Sequence, residues 1–334
     1  MIQIYEYISA HAKEMLAKTL PIILTVVLVV FLLSYIRISD VIAAFNEISL
    51  HYIVMGLILY VFIYCLRTLR FQILLNNKLR FKELFVIVCL HNLMNNIMPA
   101  RAGEFSYLYL VKKSTKNISA GESIASLLLV RLFDIIGISI IFLTSALMVE
   151  VSSSLHLLKI IATVLIGIVM LLLFCIVLFG DHFVCLVTKV MISLKIDDKK
   201  IVAFLQIKLK ETIESLNIIN NPRIIIYTLV LSILINFSMF LIGYLLIYGL
   251  GIHIGIFEIF VAGTVALFTT VLPIQGFLNF GTMEAGFAMG FSLFNVPKEI
   301  SIAIGFSYHI ILIVYLIILG GYGLYKSKLF IKFI

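Results

Sequence analysis

The sequence predicts an all-α integral membrane protein. Of its 334 residues, 63% are hydrophobic and only 13% are charged, whereas soluble domains are about half apolar and a quarter charged. The apolar residues form runs close to the roughly 20 residues that a helix needs to cross the hydrocarbon core. Lysines concentrate in the short segments between these runs, as the positive-inside rule requires. Since no soluble core could absorb so much apolar surface, the bilayer must be the solvent.

About six runs are predicted to span the membrane. They cover residues 20–36, 52–69, 123–149, 157–179, 223–250 and 299–325. The lysine-rich segments place residues 70–82, an amphipathic helix within about 181–222 and both termini in the cytoplasm. Residues 1–19 are predicted to form a helix on the membrane surface, followed by a retained span rather than a signal peptide. We therefore expect a single multi-pass domain in the cell membrane.

Two further apolar runs are interrupted, and each is predicted to form a re-entrant hairpin. The first comprises residues 83–98 and 104–111, and the second comprises residues 257–272 and 281–294. The first break contains Asn95, Asn96, Pro99, Gly103 and Glu104, and the second contains Thr269, Thr270, Pro273, Gly276, Gly281 and Glu284. A polar pair, a proline, a glycine and a glutamate thus occur in the same order in both breaks.

This shared order predicts an internal repeat. The first repeat covers about residues 52–149 and the second about residues 223–325. They start on opposite sides of the membrane, and inverted repeats with broken helices are typical of transporters. The alternative is that proline and glycine are simply frequent in membrane helices.

Five charged residues lie within or beside predicted membrane segments: Arg101, Glu104, Arg131, Asp134 and Glu284. A charge at the bilayer centre costs about 2.5–3.5 kcal/mol even on insertion scales. Each is therefore expected to face the protein interior, to be paired or to line a watery cavity. Arg131 and Asp134 share one helix face, so they can form an intrahelical ion pair. Alternatively, Arg131 binds a substrate anion through its two-pronged fork while Asp134 orients it.

Arg101 is predicted to lie at the tip of the first hairpin, where a new helix begins near Gly103. The free N–H groups of that helix and its positive dipole end favour an anion, and Gly103 allows close backbone approach. These features predict a phosphate or carboxylate site. The alternative is that Glu104 caps the helix and neutralises Arg101. Asn95 and Asn96 can either bind a headgroup or satisfy the broken backbone.

Glu284 follows Gly281 near a helix start, so it is either a helix cap or part of a proton or cation relay. His309 is either a packed, hydrogen-bonded side chain or a proton carrier. Ser307 cannot form a catalytic dyad with His309, because residues two apart on a helix point to different faces. The run Gly320–Gly323 follows no predicted strand, so it predicts close helix packing rather than a phosphate loop.

Other classes of function lack support in the sequence. The net charge of +8 is spread over loops rather than one soluble domain, which argues against nucleic-acid binding. The 4 cysteines form no CxxC pair, and no HExxH or carboxylate-rich metal motif occurs. We therefore expect no metal, no cofactor and no enzymatic activity.

The segments NNIMPARAGEFSYLYLVKK and SLLLVRLFD together resemble the membrane region of lysylphosphatidylglycerol synthases, also known as the flippase-like domain. LPIQGFLNFGTMEAG resembles the second Pro-Gly-rich loop of that family. Two features depart from the family pattern. Residues 277–280 intervene between Gly276 and Gly281. The last span has Ser307, Tyr308 and His309 in the region where many members carry an arginine. The cytosolic aminoacyl-transferase domain of full-length synthases is absent from these 334 residues. The resemblance therefore implies lipid translocation rather than lysine transfer.

Residues and resemblance together lead us to expect a translocase for an anionic phospholipid or a polyprenyl-linked lipid. Arg101 and Arg131 would bind the phosphate, while Glu104, Asp134, Glu284 and His309 would pair charges or couple protons. The alternative is a membrane subunit that assists a glycosyltransferase or another envelope-assembly enzyme without transporting lipid itself. Membrane lipids are the expected partners, and a homo-oligomer is compatible with the sequence.

Overall fold

The computed structural model describes residues 48–98, 102–149, 221–271 and 277–327, with the isolated positions 30, 31, 34, 160, 164, 211, 215 and 216. Every regular element in these ranges is helical, which confirms the predicted all-α class. The helices are α1 (Leu50–Leu74), α2 (Phe81–Ile97), α3 (Glu104–Ser114), α4 (Ala120–Leu147), α5 (Pro222–Gly249), α6 (Ile256–Val271), α7 (Thr282–Ser292) and α8 (Lys298–Ser327), with a 3-10 turn at Phe277–Asn279.

Four helices in the described ranges are long and apolar enough to cross a membrane: α1, α4, α5 and α8. They contain 25, 28, 28 and 30 residues. They correspond to the predicted spans at 52–69, 123–149, 223–250 and 299–325. The shorter helices α2, α3, α6 and α7 correspond to the two broken runs, whose re-entrant course stays a prediction. The predicted segments at 1–19, 20–36, 157–179 and 181–222 fall outside the described residues, apart from a few positions.

The first of these spans is longer than the sequence indicates. Arg70 was expected to begin a cytoplasmic loop, but α1 continues to Leu74 and leaves Arg70 only 1% exposed. The loop assignment of Arg70 is therefore wrong. Phe71, Leu74 and Leu75 are buried as well, so apolar packing continues past the arginine. Its charge is tolerated there because a carboxylate from another helix pairs with it, as described below.

The chain divides into two compact units. The first comprises Met1–Tyr60, Cys89–Ser106 and Phe240–Ile334, and the second comprises Val61–Val88 and Tyr107–Met239. Both helix breaks and the helices α6, α7 and α8 belong to the first unit. The second unit contains α4 and the portions of α1 and α5 that pack against it.

Small residues hold α6 and α7 together within the first unit. A Cβ atom at Gly290 would stand 2.6 Å from both the Cα and the carbonyl oxygen of Ala262. A Cβ atom at Gly286 would stand 2.6 Å from the Cα of Ala266. Membrane helices associate largely through such close backbone approach, because lipid is as apolar as their side chains. The two glycines thereby fix α7 against α6 on either side of the second break.

Gly290→Ala is expected to lower the free energy of unfolding by about 1–3 kcal/mol, because the added methyl group must push backbone atoms of α6 away. Thermal unfolding in detergent, followed by circular dichroism, measures the change. Gly321→Ala is the matched control, since a Cβ atom there meets nothing within 4 Å. The control is expected to be at least as stable as the wild type, because alanine favours helices over glycine. Equal effects of the two substitutions would contradict this account of the α6–α7 pair.

Helix α8 is the most enclosed of the four described spans. In an apolar stretch of 18 residues of α8, 67% of the residues are buried. The corresponding fraction is 39% in α4 and 33% in α1 and α5. Gly320 and Gly323 bring it close to α2. A Cβ atom at either position would lie 2.9 Å from a side chain of α2, Leu93 for Gly320 and Cys89 for Gly323. This agrees with the helix-packing role predicted for the glycine run.

Candidate functional site

At the first break, α2 and α3 are in backbone contact at Gly103. A Cβ atom at this position would overlap the backbone of Met94 and Asn95, so a larger residue requires the two helices to separate. One turn into α3, Oγ of Ser106 donates to the carbonyl oxygen of Gly103 at 2.5 Å and lies 3.5 Å from Nδ1 of His91. In this structure, the close backbone approach that Gly103 allows is therefore the approach of α2 to the start of α3.

The two helix breaks meet through an asparagine pair. Nδ2 of Asn279 donates to Oδ1 of Asn96 at 3.0 Å, and Nδ2 of Asn96 donates to the carbonyl oxygen of Asn92 at 2.9 Å. Both ends of the Asn96 amide are thus engaged. Leu278 and Asn279 have left-handed backbone angles, with φ of 53° and 61°. Asparagine tolerates this conformation better than most residues. The sequence interpretation missed Asn279, which it counted only among the inserted residues of the second loop.

The neighbouring Asn95 is in a different situation. Its Oδ1 atom is buried and accepts no hydrogen bond within the described part of the chain. Its own backbone lies against Gly103, so the residue lies where α2 and α3 meet. A buried carbonyl oxygen that lacks a donor costs about 1–3 kcal/mol. Asn95 is therefore a place where a bound molecule could supply a missing hydrogen bond.

Glu284 and His309 form a buried pair beside the second break. Nδ1 of His309 on α8 lies 2.7 Å from Oε1 of Glu284 on α7, while Oε2 accepts from the backbone N–H of Gly281 at 2.7 Å. Glu284 is 0% exposed and His309 4% exposed. Gly281 has a φ of 85°, a conformation that glycine adopts without strain. Glu284 thus caps α7 and contacts His309 at the same time. The sequence interpretation named both residues but not their contact.

A buried ion pair joins three helices of the second unit. The guanidinium of Arg70 on α1 binds Asp134 on α4 through both Nη atoms, with Nη2 at 3.2 Å from Oδ2. Nη1 also donates to Oγ of Ser232 on α5 at 2.6 Å. Nδ2 of Asn236 donates to Oδ1 of Asp134 at 3.5 Å and to the carbonyl oxygen of Ser232 at 2.8 Å. The network neutralises two charges that neither lipid nor an apolar core would accept singly.

Arg131 and Glu104, two further charged residues of the predicted site, are both only partly buried. Arg131 is half-buried on α4, three residues before Asp134. Arg70 binds Asp134 from another helix. The Asp134 carboxylate is therefore not available exclusively for the predicted ion pair with Arg131. Glu104 is the first residue of α3 and is also half-buried. An acidic residue is favourable in this first-turn position, where the helix dipole is positive.

Four predicted site residues lie outside the described residues: Pro99, Arg101, Pro273 and Gly276. The anion site at Arg101 and the role of the two prolines in the breaks therefore stay predictions. Within the described ranges, no group of three or more histidine, cysteine or acidic residues could hold a metal ion.

A known protein family matches nearly the whole chain, including the contacts described above. Residues 19–320 match the family described as the lysylphosphatidylglycerol synthase TM region. The matched range includes both helix breaks, the Arg70–Asp134 ion pair and the Glu284–His309 pair. No curated protein matches the chain. The resemblance of the first break and of the RLFD segment thus extends over most of the sequence, and it agrees with the apolar spans. The chain therefore belongs to the lysylphosphatidylglycerol synthase transmembrane-region family and is a membrane protein.

Proposed function

We propose that the chain is a lipid translocase, which moves an anionic phospholipid or a polyprenyl-linked lipid across the cell membrane. The observation that carries this proposal is the hydrogen bond of 3.0 Å between Asn279 and Asn96, which joins the two helix breaks. Broken backbone and amide side chains are tolerated at membrane depth only inside protein or beside a watery cavity. In transporters, paired helix breaks of this kind form the substrate site.

The polar residues divide into two proposed roles. Arg101 and Arg131 bind the phosphate, because a guanidinium fork donates two hydrogen bonds to neighbouring oxygens. Gly103, Asn95 and Asn96 line the first break and contact the remainder of the headgroup. The ionisable residues Glu104, Asp134, Glu284 and His309 pair charges or couple protons. The Arg70–Asp134 and Glu284–His309 contacts support the pairing role for three of them.

The helix lengths support an inverted repeat as the framework for this function. The first four described helices contain 25, 17, 11 and 28 residues, and the last four contain 28, 16, 11 and 30. Long, short, short and long helices therefore follow each other twice. We propose that the two sets are repeats of opposite orientation with re-entrant short helices, and that both chain termini face the cytoplasm. The protein carries out transport without catalysing a reaction.

Arg131→Ala is expected to reduce lipid movement in proteoliposomes by about 10- to 100-fold, since charge-assisted hydrogen bonds contribute about 1.5–3 kcal/mol. Arg131→Lys is expected to recover little, because an ammonium group cannot bind two oxygens in the same plane. Transport of a fluorescent anionic phospholipid, read by dithionite quenching, measures both. Arg101→Ala is expected to act in the same direction.

Arg223→Ala provides the matched control, because Arg223 is exposed in the first turn of α5. It should transport lipid as the wild type does. Variants of Arg101 and Arg131 that fold normally and transport at the wild-type rate would refute the assigned site. A correctly folded wild-type protein that binds lipid without moving it would instead favour the non-transporting subunit of an envelope-assembly enzyme.

A further inference from the structure

We infer that Arg70 is a positioning residue of the lipid site: it neutralises Asp134 and so keeps the positive charge of Arg131 for the lipid phosphate. The inference rests on the proposed function, in which Arg131 binds that phosphate. It deepens the proposed function by giving a role in lipid binding to a residue outside the predicted site. All three residues belong to the second unit.

Two arginines compete for the Asp134 carboxylate. Arg131 and Asp134 are three residues apart on α4, so the helix allows an ion pair that would cancel both charges. Arg70 approaches the same carboxylate from α1 with both Nη atoms. A guanidinium that binds a carboxylate through two hydrogen bonds forms a stronger and better oriented pair than a contact along one helix. Asp134 is therefore neutralised chiefly by Arg70.

Helix α5 holds the carboxylate in this arrangement. Nδ2 of Asn236 donates to Oδ1 of Asp134 at 3.5 Å, and Oγ of Ser232 accepts from Nη1 of Arg70 at 2.6 Å. A Cβ atom at Gly137 on α4 would stand 3.3 Å from the carbonyl oxygen of Ser232 and 3.4 Å from Nδ2 of Asn236. Gly137 thus allows α4 to lie close to α5, and both oxygens of Asp134 are engaged by groups of α1 and α5.

The degree of burial separates the arginine that can contact a ligand from the arginine that supports it. Arg70 is 1% exposed, so a lipid headgroup cannot reach its guanidinium in this structure. The side chain of Asp134 is 20% exposed, and Arg131, one turn earlier on α4, is half-buried. Two arginines and one aspartate together carry one net positive charge, and Arg131 is the arginine that a phosphate can approach. Arg70 therefore acts on the phosphate through Asp134.

The test measures how strongly the protein prefers a lipid that carries a phosphate. The full chain in detergent is titrated with phosphatidic acid and with diacylglycerol of the same acyl chains, and bound lipid is counted by native mass spectrometry. The ratio of the two affinities is the phosphate preference. Misfolding lowers the binding of both lipids alike, so a purely structural role of Arg70 would not change this ratio.

Arg70→Gln is expected to lower the phosphate preference about tenfold, because Asp134 then cancels the charge of Arg131. Arg70→Lys is expected to keep most of the preference, since an ammonium group still neutralises Asp134. The double substitution Arg70→Gln with Asp134→Asn removes both charges of the pair and should bring the preference back to within about twofold of the wild type. Arg223→Gln is the matched control, because Arg223 is exposed at the start of α5 and should keep the preference.

The inference is overturned if Arg70→Gln keeps the wild-type preference or if the double variant fails to regain it. Failure of the double variant would mean that Arg70 contributes its own charge to the phosphate. Where Arg70→Gln does not fold, the double variant decides alone, because its preference must persist without Arg70. Arg131→Ala separates this inference from the proposed function. Loss of the preference in Arg131→Ala but not in Arg70→Gln defeats the inference alone, whereas a wild-type preference in Arg131→Ala defeats the proposed site as well.

Discussion

Asp134→Ala is expected to lower the free energy of unfolding by about 3–5 kcal/mol, the largest stability loss that we predict for a single side chain. The substitution leaves the Arg70 guanidinium buried at 1% exposure with its counter-ion removed, and breaking a buried ion pair in this way is strongly destabilising. Ser232 still accepts one hydrogen bond but carries no charge. Unfolding in detergent by added dodecyl sulfate, monitored by circular dichroism, measures the loss.

Two further variants separate the ion pair from a general effect of removing charge. Lys78→Ala breaks a more exposed pair with Glu122, whose side chains are 36% and 28% exposed, and it is expected to change stability by less than about 1 kcal/mol. The double substitution Arg70→Leu with Asp134→Leu removes both buried charges and is expected to recover most of the stability lost by Asp134→Ala. A double variant as unstable as Asp134→Ala would show that packing, rather than an unpaired charge, explains the effect.

Glu284→Ala is expected to lower the free energy of unfolding by about 2–5 kcal/mol, since it leaves two buried groups without partners at about 1–3 kcal/mol each. These groups are the backbone N–H of Gly281 and Nδ1 of His309. Glu284→Gln keeps one oxygen acceptor and should lose about half as much. The same unfolding measurement applies. Under the proposed function, lipid transport is also expected to fall, because α7 would no longer be held at the second break.

Glu299→Ala is the control for Glu284, because Glu299 is also acidic and lies in the first turn of a helix but is exposed. A favourable dipole interaction at such a site contributes about 0.3–1 kcal/mol. If Glu299→Ala and Glu284→Ala destabilise the protein equally, then capping explains the role of Glu284 and the contact with His309 contributes nothing.

The four described spans could be predicted from the sequence to within about five residues, because long and predominantly apolar segments allow little else. The ends of these spans were harder to predict. The span predicted at 123–149 begins at Ala120, where Ser119 and Glu122 form a capping box with hydrogen bonds of 2.8 and 3.0 Å. The Ser-x-x-Glu spacing is a local signal for a helix start, and it could have placed this boundary correctly.

The partners of the buried charges could not be predicted, because they lie far apart in the chain. The sequence interpretation paired Asp134 with Arg131, three residues away, since that is the contact a single helix allows. The structure supplies Arg70, 64 residues distant, as a partner of Asp134. Glu284 and His309 are likewise 25 residues apart. Periodicity indicates that such groups need partners, but only tertiary packing decides which helix provides them.

The enclosure of α8 has a consequence for how the protein is assembled in the membrane. In the folded structure 67% of the apolar stretch of α8 is buried in the protein, including Ile302, Ile304, Ile311, Leu312, Leu316 and Leu319. Yet α8 has a mean hydropathy of 2.5, the highest of the four described spans. A membrane segment must first partition into lipid on its own composition, and only then can it associate with its neighbours. During that first stage His309 has no access to Glu284, and the apolar excess of α8 offsets the cost of inserting the lone imidazole. The hydropathy of α8 is therefore a requirement of biogenesis rather than of the folded state.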